Sequence, residues 1–163
     1  MGTKFTFIRA IIFIWLASFL VSSALADAST NVPTAFAARV GGLLGTSYSV
    51  KWQNGVLNYS ATKDGKLIDS AKVIPSSAQW KKFRKTLDQL NVWKWHDHDY
   101  NTNIIDGTQW SLEITYVDFS LKTDGSNSYP EANGKPNNDP TGSKEFDKYL
   151  KAVEKLLGGK AFE

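Results

Sequence analysis

The chain contains no cysteine, and this absence excludes several classes of protein at once. Disulfides, thiol nucleophiles, zinc–thiolate sites and redox pairs are impossible, and so is attachment as a lipidated lipoprotein. The stability of the protein must therefore come from the packing of apolar side chains. The high aromatic content, 13% of all residues, is consistent with a well-filled core.

The excess of positive over negative charge is also small. The formal net charge is +3, but Lys4 and Arg9 lie in the first segment, which leaves +1 for residues 27–163. A sequence pI of about 9.0 therefore does not indicate a nucleic-acid partner. After residue 26 no apolar run is long enough to cross a membrane, which takes about 20 residues.

Residues 1–26 have the pattern of a secretory signal peptide. Lys4 and Arg9 supply the positive start, Ala10–Val21 is almost continuously apolar, and small residues precede a cut after Ala26. The alternative is an uncleaved membrane anchor, but the apolar stretch is shorter than a spanning helix requires. We expect cleavage and a location in the periplasm or outside the cell. Export without disulfides favours a Gram-negative bacterial source.

The remaining chain has a length suited to one domain. Residues 27–46 are rich in small residues and contain Pro33 and Gly41-Gly42, which predicts a flexible N-terminal segment. Residues 47–158 form the predicted domain, followed by a tail at 159–163. We expect a monomer.

Alternating apolar and polar residues predict two groups of antiparallel strands. Residues 48–74 predict a three-stranded meander with turns at Asn54-Gly55 and Asp64-Gly65. Trp110–Tyr116 and Phe119–Lys122 predict a further hairpin around which the rest folds. The sequence thus predicts an antiparallel sheet of about five strands.

Two amphipathic helices complete the predicted α+β fold. Ser76 and Gln79 form a capping box at the start of a helix that runs to about Asn91. The second predicted helix covers 143–157, ends at Gly158-Gly159, and follows a long exposed loop at 131–142. Both helices have one apolar face, so we expect them to cover one face of the sheet. Their residues match in size and charge, which suggests a ββα internal duplication.

Residues 91–105 contain aromatic side chains in an irregular segment. Trp93 and Trp95 are the predicted surface anchors of a binding site, because Trp and Tyr dominate binding hot spots. Asn101 in the same segment, and Asn127 and Tyr129 in the loop after the hairpin, are the other candidate ligand-binding residues. For Asn127 and Tyr129 the alternative is a turn chosen for backbone reasons.

The same segment holds both histidines of the chain, His96 and His98, next to Asp97 and Asp99. Neutral imidazole binds zinc, copper and nickel, and alternate residues of an extended chain project on the same side. A divalent-metal site is therefore one candidate, although the spacing selects no third ligand. The alternative is a solvated polar loop without a cofactor. A calcium loop is disfavoured because the required glycine and glutamate are absent.

The motifs DGTQWSLEI and GSNSYP, with the terminal helix pattern F-x-x-Y, resemble a group of small exported bacterial proteins. No activity is attached to that group, so the resemblance implies no catalytic residues. A ββα duplication also resembles the β-lactamase-inhibitor-protein type of fold in architecture, although the disulfides of that protein have no counterpart here.

No nucleophile elbow, phosphate-binding glycine loop or zinc-protease helix is present in the sequence. The sequence favours a non-enzymatic binding or interaction module whose partner is a protein, peptide or glycan of the envelope. The alternative function is a metal-binding protein or a metal-dependent hydrolase centred on His96 and His98.

Overall fold

The computed structural model describes residues 31–139 and 141–163. The predicted signal peptide and its cleavage site lie outside the described residues. The described chain forms a seven-stranded sheet and two α-helices, so the α+β class and the mostly antiparallel sheet are confirmed, but the prediction of about five strands is wrong. The strands lie in the order β4-β3-β2-β1-β6-β7-β5. Their bounds are β1 Ala35–Gly41, β2 Thr46–Gln53, β3 Val56–Lys63, β4 Lys66–Val73, β5 His98–Tyr100, β6 Gln109–Thr115 and β7 Ser120–Ser126.

The predicted meander is confirmed as β2, β3 and β4. Asn54 and Asp64 begin its two tight turns with positive φ, 54° and 50°, and each is followed by a glycine that also has positive φ. Two consecutive residues with positive φ match the right-handed twist of the flanking strands, which explains why Asn-Gly and Asp-Gly stand there.

The N-terminal segment differs most from expectation. Residues 35–41 were predicted to be part of a flexible tether, but they form β1 near the middle of the sheet. β1 pairs with β2 on one side and with β6 on the other, both antiparallel. Phe36, Ala38 and Val40 alternate with more exposed neighbours and are buried. The small residues of this segment concealed the period-2 pattern of a central strand.

The predicted central hairpin is confirmed as β6 and β7. β6 joins β1, and β7 pairs in parallel with the short strand β5 at the edge of the sheet. The extra strands β1 and β5 account for the difference between five and seven. Both come from segments that were interpreted as irregular.

The two helices are α1, Ser77–Gln89, and α2, Lys144–Leu156. Ser76 and Gln79 form the predicted capping box, and Ser143 caps α2 by accepting from the Phe146 amide at 3.1 Å. Trp80 of α1 packs against Phe36, and Phe146 of α2 packs against the Trp110 ring. These strand residues belong to the same sheet face, so both helices cover one side, as predicted. The duplication itself stays a prediction.

Two further segments pack onto this core. A small hairpin joins β8, Tyr129–Pro130, to β9, Pro136–Asn137, and only β9 lies within the long exposed loop predicted at 131–142. Near the C-terminus, Phe162 is fully buried beside Tyr48, and Lys160 pairs with Asp69 on β4 at 2.9 Å. The predicted tail is therefore part of the domain.

Candidate functional site

The GSNSYP loop has a structural explanation at almost every residue. Gly125 lies under the indole of Trp110, where a Cβ would come within 2.5 Å of Nε1. The same Nε1 donates a hydrogen bond to the Ser128 carbonyl at 2.7 Å. Asn127 has a φ of 52°, its amide donates to the Thr108 carbonyl at 2.9 Å, and its side chain is buried. The loop therefore fastens the end of β7 to the core.

Three predicted ligand-binding residues lie inside the protein rather than at its surface: Asn101, Asn127 and Tyr129. The Tyr129 ring packs on Phe146 with centroids 5.1 Å apart. Asn101 accepts the Asn103 amide with its side-chain oxygen at 3.1 Å, which closes a local turn. The side chains of Asn101 and Asn127 thus make hydrogen bonds within the loops, and a role of these three residues in ligand binding stays a prediction.

The predicted aromatic anchors divide into one core residue and one boundary residue. Trp95 is 4% exposed and packs edge-on against Trp110 and Tyr149, so its predicted surface position is wrong. Trp93 is partly buried, stacks on Phe119 at 5.0 Å, and donates from Nε1 to Asp88 at 2.8 Å. A short 3₁₀ turn at Val92–Lys94 places the two indoles in these positions.

The two histidines contact different carboxylates. His98 Nδ1 lies 2.7 Å from Asp124 Oδ1, whereas His96 Nδ1 lies 3.4 Å from Asp99 Oδ1. Because the strand begins only at His98, the alternation that would place both imidazoles on one side does not reach His96. The Asp97 side chain is exposed, and its carbonyl accepts the Asp124 amide at 3.0 Å. In residues 31–139 and 141–163 no three His, Cys, Asp or Glu side chains are grouped to hold a metal.

Asp99 is the most unusual titratable group of this segment. Its side chain is 1% exposed, and neither carboxylate oxygen has a hydrogen-bond partner within the described chain. Burial raises the pKa of Asp99, and the nearby imidazole of His96 acts in the opposite direction. The contact with His96 at 3.4 Å brings the imidazole close to the carboxylate without the geometry of a hydrogen bond.

Asp124 organises a polar cluster on the open face of the sheet, opposite the helices. One carboxylate oxygen lies within hydrogen-bond distance of His98 Nδ1, and the other accepts a hydrogen bond from the Tyr100 hydroxyl. The His98 and Tyr100 rings lie nearly parallel, with centroids 6.1 Å apart. The hydrogen bond to Asp124 raises the pKa of Tyr100, so this hydroxyl stays a donor over the physiological range.

A cleft of about 440 Å³ lies between this cluster and β1. In the strand register Arg39 on β1 stands opposite Ser111 on β6, and Ser111 stands opposite Asp124 on β7. The small Ser111 leaves space between the larger side chains on both sides. Arg39 is exposed and has no carboxylate within 4 Å among the residues that the structure describes. Gln109, Ser126 and Tyr100 complete the polar lining.

None of the candidate site residues predicted from the sequence lines the cleft, although one of them, His98, contacts the lining residue Asp124. Arg39 belongs to the predicted flexible N-terminal segment, and Asp124 lies two residues after the end of the predicted strand Phe119–Lys122. Neither has a motif around it. The only signal that would have found them is the cross-strand register, which aligns β1, β6, β7 and β5 and cannot be read from the sequence before the strand order is known.

Comparison with known proteins identifies no family for this chain. No protein-family model matches the chain. No curated protein matches it either. Within the described ranges, neither helix has the length and apolar content needed to cross a bilayer.

Proposed function

We propose that the protein is a non-enzymatic binding module of the periplasm or the cell exterior, and that its ligand occupies the cleft between Arg39 and Asp124. The observation that carries the proposal is the placement of opposite charges on the two sides of a polar cleft floored by Ser111. A volume of about 440 Å³ falls within the range of small-molecule sites.

The charges indicate which ligand fits. Arg39 has no internal partner among the described residues, and a guanidinium presents a planar fork of donors that matches a carboxylate. Asp124 accepts hydrogen bonds and favours a cationic or hydroxyl group. Two strand spacings separate β1 from β7, a distance of about 10 Å. A short peptide with free termini is the simplest ligand that carries an anion and a cation at such a separation.

Binding is favoured over catalysis because of the groups that surround the His98 ring. The described contacts of His98 are with Asp124 and Tyr100, and no serine or threonine hydroxyl lies within hydrogen-bond distance of its ring in the part of the chain that is described. A nucleophilic pair needs such a hydroxyl. The metal alternative lacks a comparable observation, because the two imidazoles face separate carboxylates.

The proposal is tested by titrating the protein without its first 26 residues with trialanine and following backbone amide shifts by NMR. We expect shifts concentrated at Arg39, Ser111 and Asp124. The variants Arg39→Gln and Asp124→Asn should each weaken binding about tenfold, the effect of losing one charge-assisted contact. Lys51→Gln is the matched control, because Lys51 is exposed on the neighbouring strand β2, two residues along the strand from Ser49, which stands opposite Arg39.

Trialanine shifts that are absent, or that lie away from the cleft, would refute this ligand class. Equal weakening by Lys51→Gln would show that overall charge, and not the cleft, attracts the peptide.

A further inference from the structure

A second cavity, also of about 440 Å³, runs between α1 and α2 on the opposite side of the molecule. Its floor is apolar and includes Phe83 and Leu156, which are 3% and 2% exposed. Amide and hydroxyl groups line it at Gln79, Thr86 and Gln89. Four lysines stand around it: Lys82, Lys148, Lys151 and Lys155.

The charge around this groove is largely uncompensated. Within the described chain Lys82, Lys151 and Lys155 have no carboxylate within 4 Å, and Lys148 has only a 3.9 Å contact with Glu145. The two helices together carry eight basic and four acidic residues. Residues 27–163 as a whole carry +1, so the helix layer is positive and the rest of this part of the chain is negative. Such an asymmetry attracts anions to the helix side.

The lysines of α2 are spaced along the groove. Lys148, Lys151 and Lys155 are three and four residues apart, and an α-helix rises 1.5 Å per residue, so they form a row with steps of about 5 Å. A lysine ammonium is a point charge on a flexible stem and does not demand a particular planar partner. A row of this kind suits an extended chain with repeated negative charges.

The lining of the groove disfavours three other classes of anionic ligand: lipids, nucleic acids and extended peptides. Its apolar floor is already buried, so an acyl chain would gain little, and the exposed large hydrophobic residues of the described chain lie elsewhere. It presents no exposed aromatic ring on which nucleic-acid bases would stack. It offers helix surfaces and no strand edge, so an extended peptide would find no backbone to pair with.

We propose that the groove between α1 and α2 binds an acidic polysaccharide, a glycan chain with carboxylates on its sugar rings. The lysine row takes the carboxylates, and the side-chain amide groups of Gln89 and Gln79 donate to the sugar hydroxyls. Gln79 Oε1 stays in the capping box, and the Thr86 hydroxyl, which donates to the Lys82 carbonyl, acts toward the glycan as an acceptor. This site is independent of the cleft at Asp124, since it lies on the other face of the sheet and shares no residue with it.

The test uses a fluorescently labelled oligogalacturonate and measures its anisotropy with the chain that lacks its first 26 residues, at an ionic strength of about 0.1 M, where the Debye length is about 10 Å. The double variant Lys151→Gln, Lys155→Gln should weaken binding roughly tenfold or more, because each lysine near an anionic surface contributes about 1 kcal/mol. The matched control is Lys72→Gln, Lys122→Gln, which removes the same charge from the open face of the sheet. It should change the affinity less than about twofold, because charges a Debye length away are screened.

An equal loss in both double variants would overturn the proposal, since net charge alone would then explain the binding. Competition by polyglutamate, single-stranded DNA or anionic lipid vesicles as strong as that by unlabelled oligogalacturonate would overturn the assignment to a glycan. Circular dichroism of each variant confirms that the fold is retained.

Discussion

Arg84 and Asp118 form a two-pronged ion pair that joins α1 to the turn between β6 and β7. Nη1 and Nη2 of Arg84 lie 3.0 and 2.9 Å from the two oxygens of Asp118, and Nε lies 3.0 Å from Asp88. The guanidinium carbon also lies 4.4 Å from the centroid of Tyr116. One side chain on the polar side of a predicted helix thus fixes the position of the central hairpin.

This arrangement predicts that Arg84→Lys destabilises the protein, although the charge is kept. An ammonium has no planar fork and stacks poorly on aromatic rings, so we expect a loss of about 1–2 kcal/mol in the free energy of unfolding. Urea denaturation measures the change. Lys85→Gln, an exposed neighbour on the same helix, should have almost no effect, and equal loss in both variants would contradict the special role of Arg84.

Asp99 predicts a pH-dependent stability. Burial raises the pKa of Asp99 above its ordinary value of 3.8, so the folded state holds the proton more tightly than the unfolded state. The contribution of Asp99 therefore lowers the free energy of unfolding as the pH rises from 3.8 through the raised pKa. The variant Asp99→Asn cannot ionise. We expect it to be more stable than the natural protein at pH 7 and to lose this advantage below pH 3.8.

Urea denaturation of both proteins across this pH range provides the measurement. A variant that is less stable at pH 7 would show that the buried carboxylate is stabilised in its ionised form, contrary to the expectation. His96→Gln is the matched control, because removing the imidazole that favours the ionised form should increase the pH dependence.

The close contact between Gly125 and Trp110 predicts that adding one methyl group at residue 125 strongly destabilises the protein. In Gly125→Ala the new Cβ would overlap the indole, and the indole cannot move without breaking its hydrogen bond to Ser128. We expect a loss of about 2 kcal/mol or more in the free energy of unfolding, and an altered near-ultraviolet circular dichroism. Ser126→Ala at the next residue should leave both quantities nearly unchanged. Unchanged stability of Gly125→Ala would show that the indole has free space.

The effect of zinc on the melting temperature distinguishes the binding module from the metal-binding alternative. A metal site at His96 and His98 would raise the melting temperature with zinc or copper, and replacing both histidines by alanine would remove the rise. Because the imidazoles are paired with different carboxylates, we expect no rise. A rise that depends on both histidines would favour the metal alternative over the binding module.

Particular residues show where sequence reasoning succeeded. Asn54-Gly55, Asp64-Gly65 and the box of Ser76 and Gln79 each depend on neighbouring residues alone, and the structure has all three as predicted. The alternation from Trp110 to Tyr116 likewise predicted a half-buried strand, and β6 has that burial pattern. The helices followed from their apolar faces.

Other residues show where it failed. Ala35–Gly41 and His98–Tyr100 are strands because other strands lie beside them, and their own composition indicates a tether and a loop. Trp95 was predicted to be a surface anchor and Tyr129 a ligand-binding residue, but side chains of α2 pack on both. An aromatic residue has the same sequence signal whether it lies beneath a helix or in solvent, so only the packing of distant segments distinguishes the two.

The sequence by itself determined the turns, the caps, the two amphipathic helices, the central hairpin and the α+β class, because these depend on contacts between residues close in the chain. Only the tertiary structure decided the seven-strand order, the burial of Trp95 and the position of Arg39 across from Asp124. The physical reason is that cross-strand register and helix coverage join segments tens of residues apart. Local propensity carries no information about those partners, so the two candidate binding surfaces exist only in the folded chain.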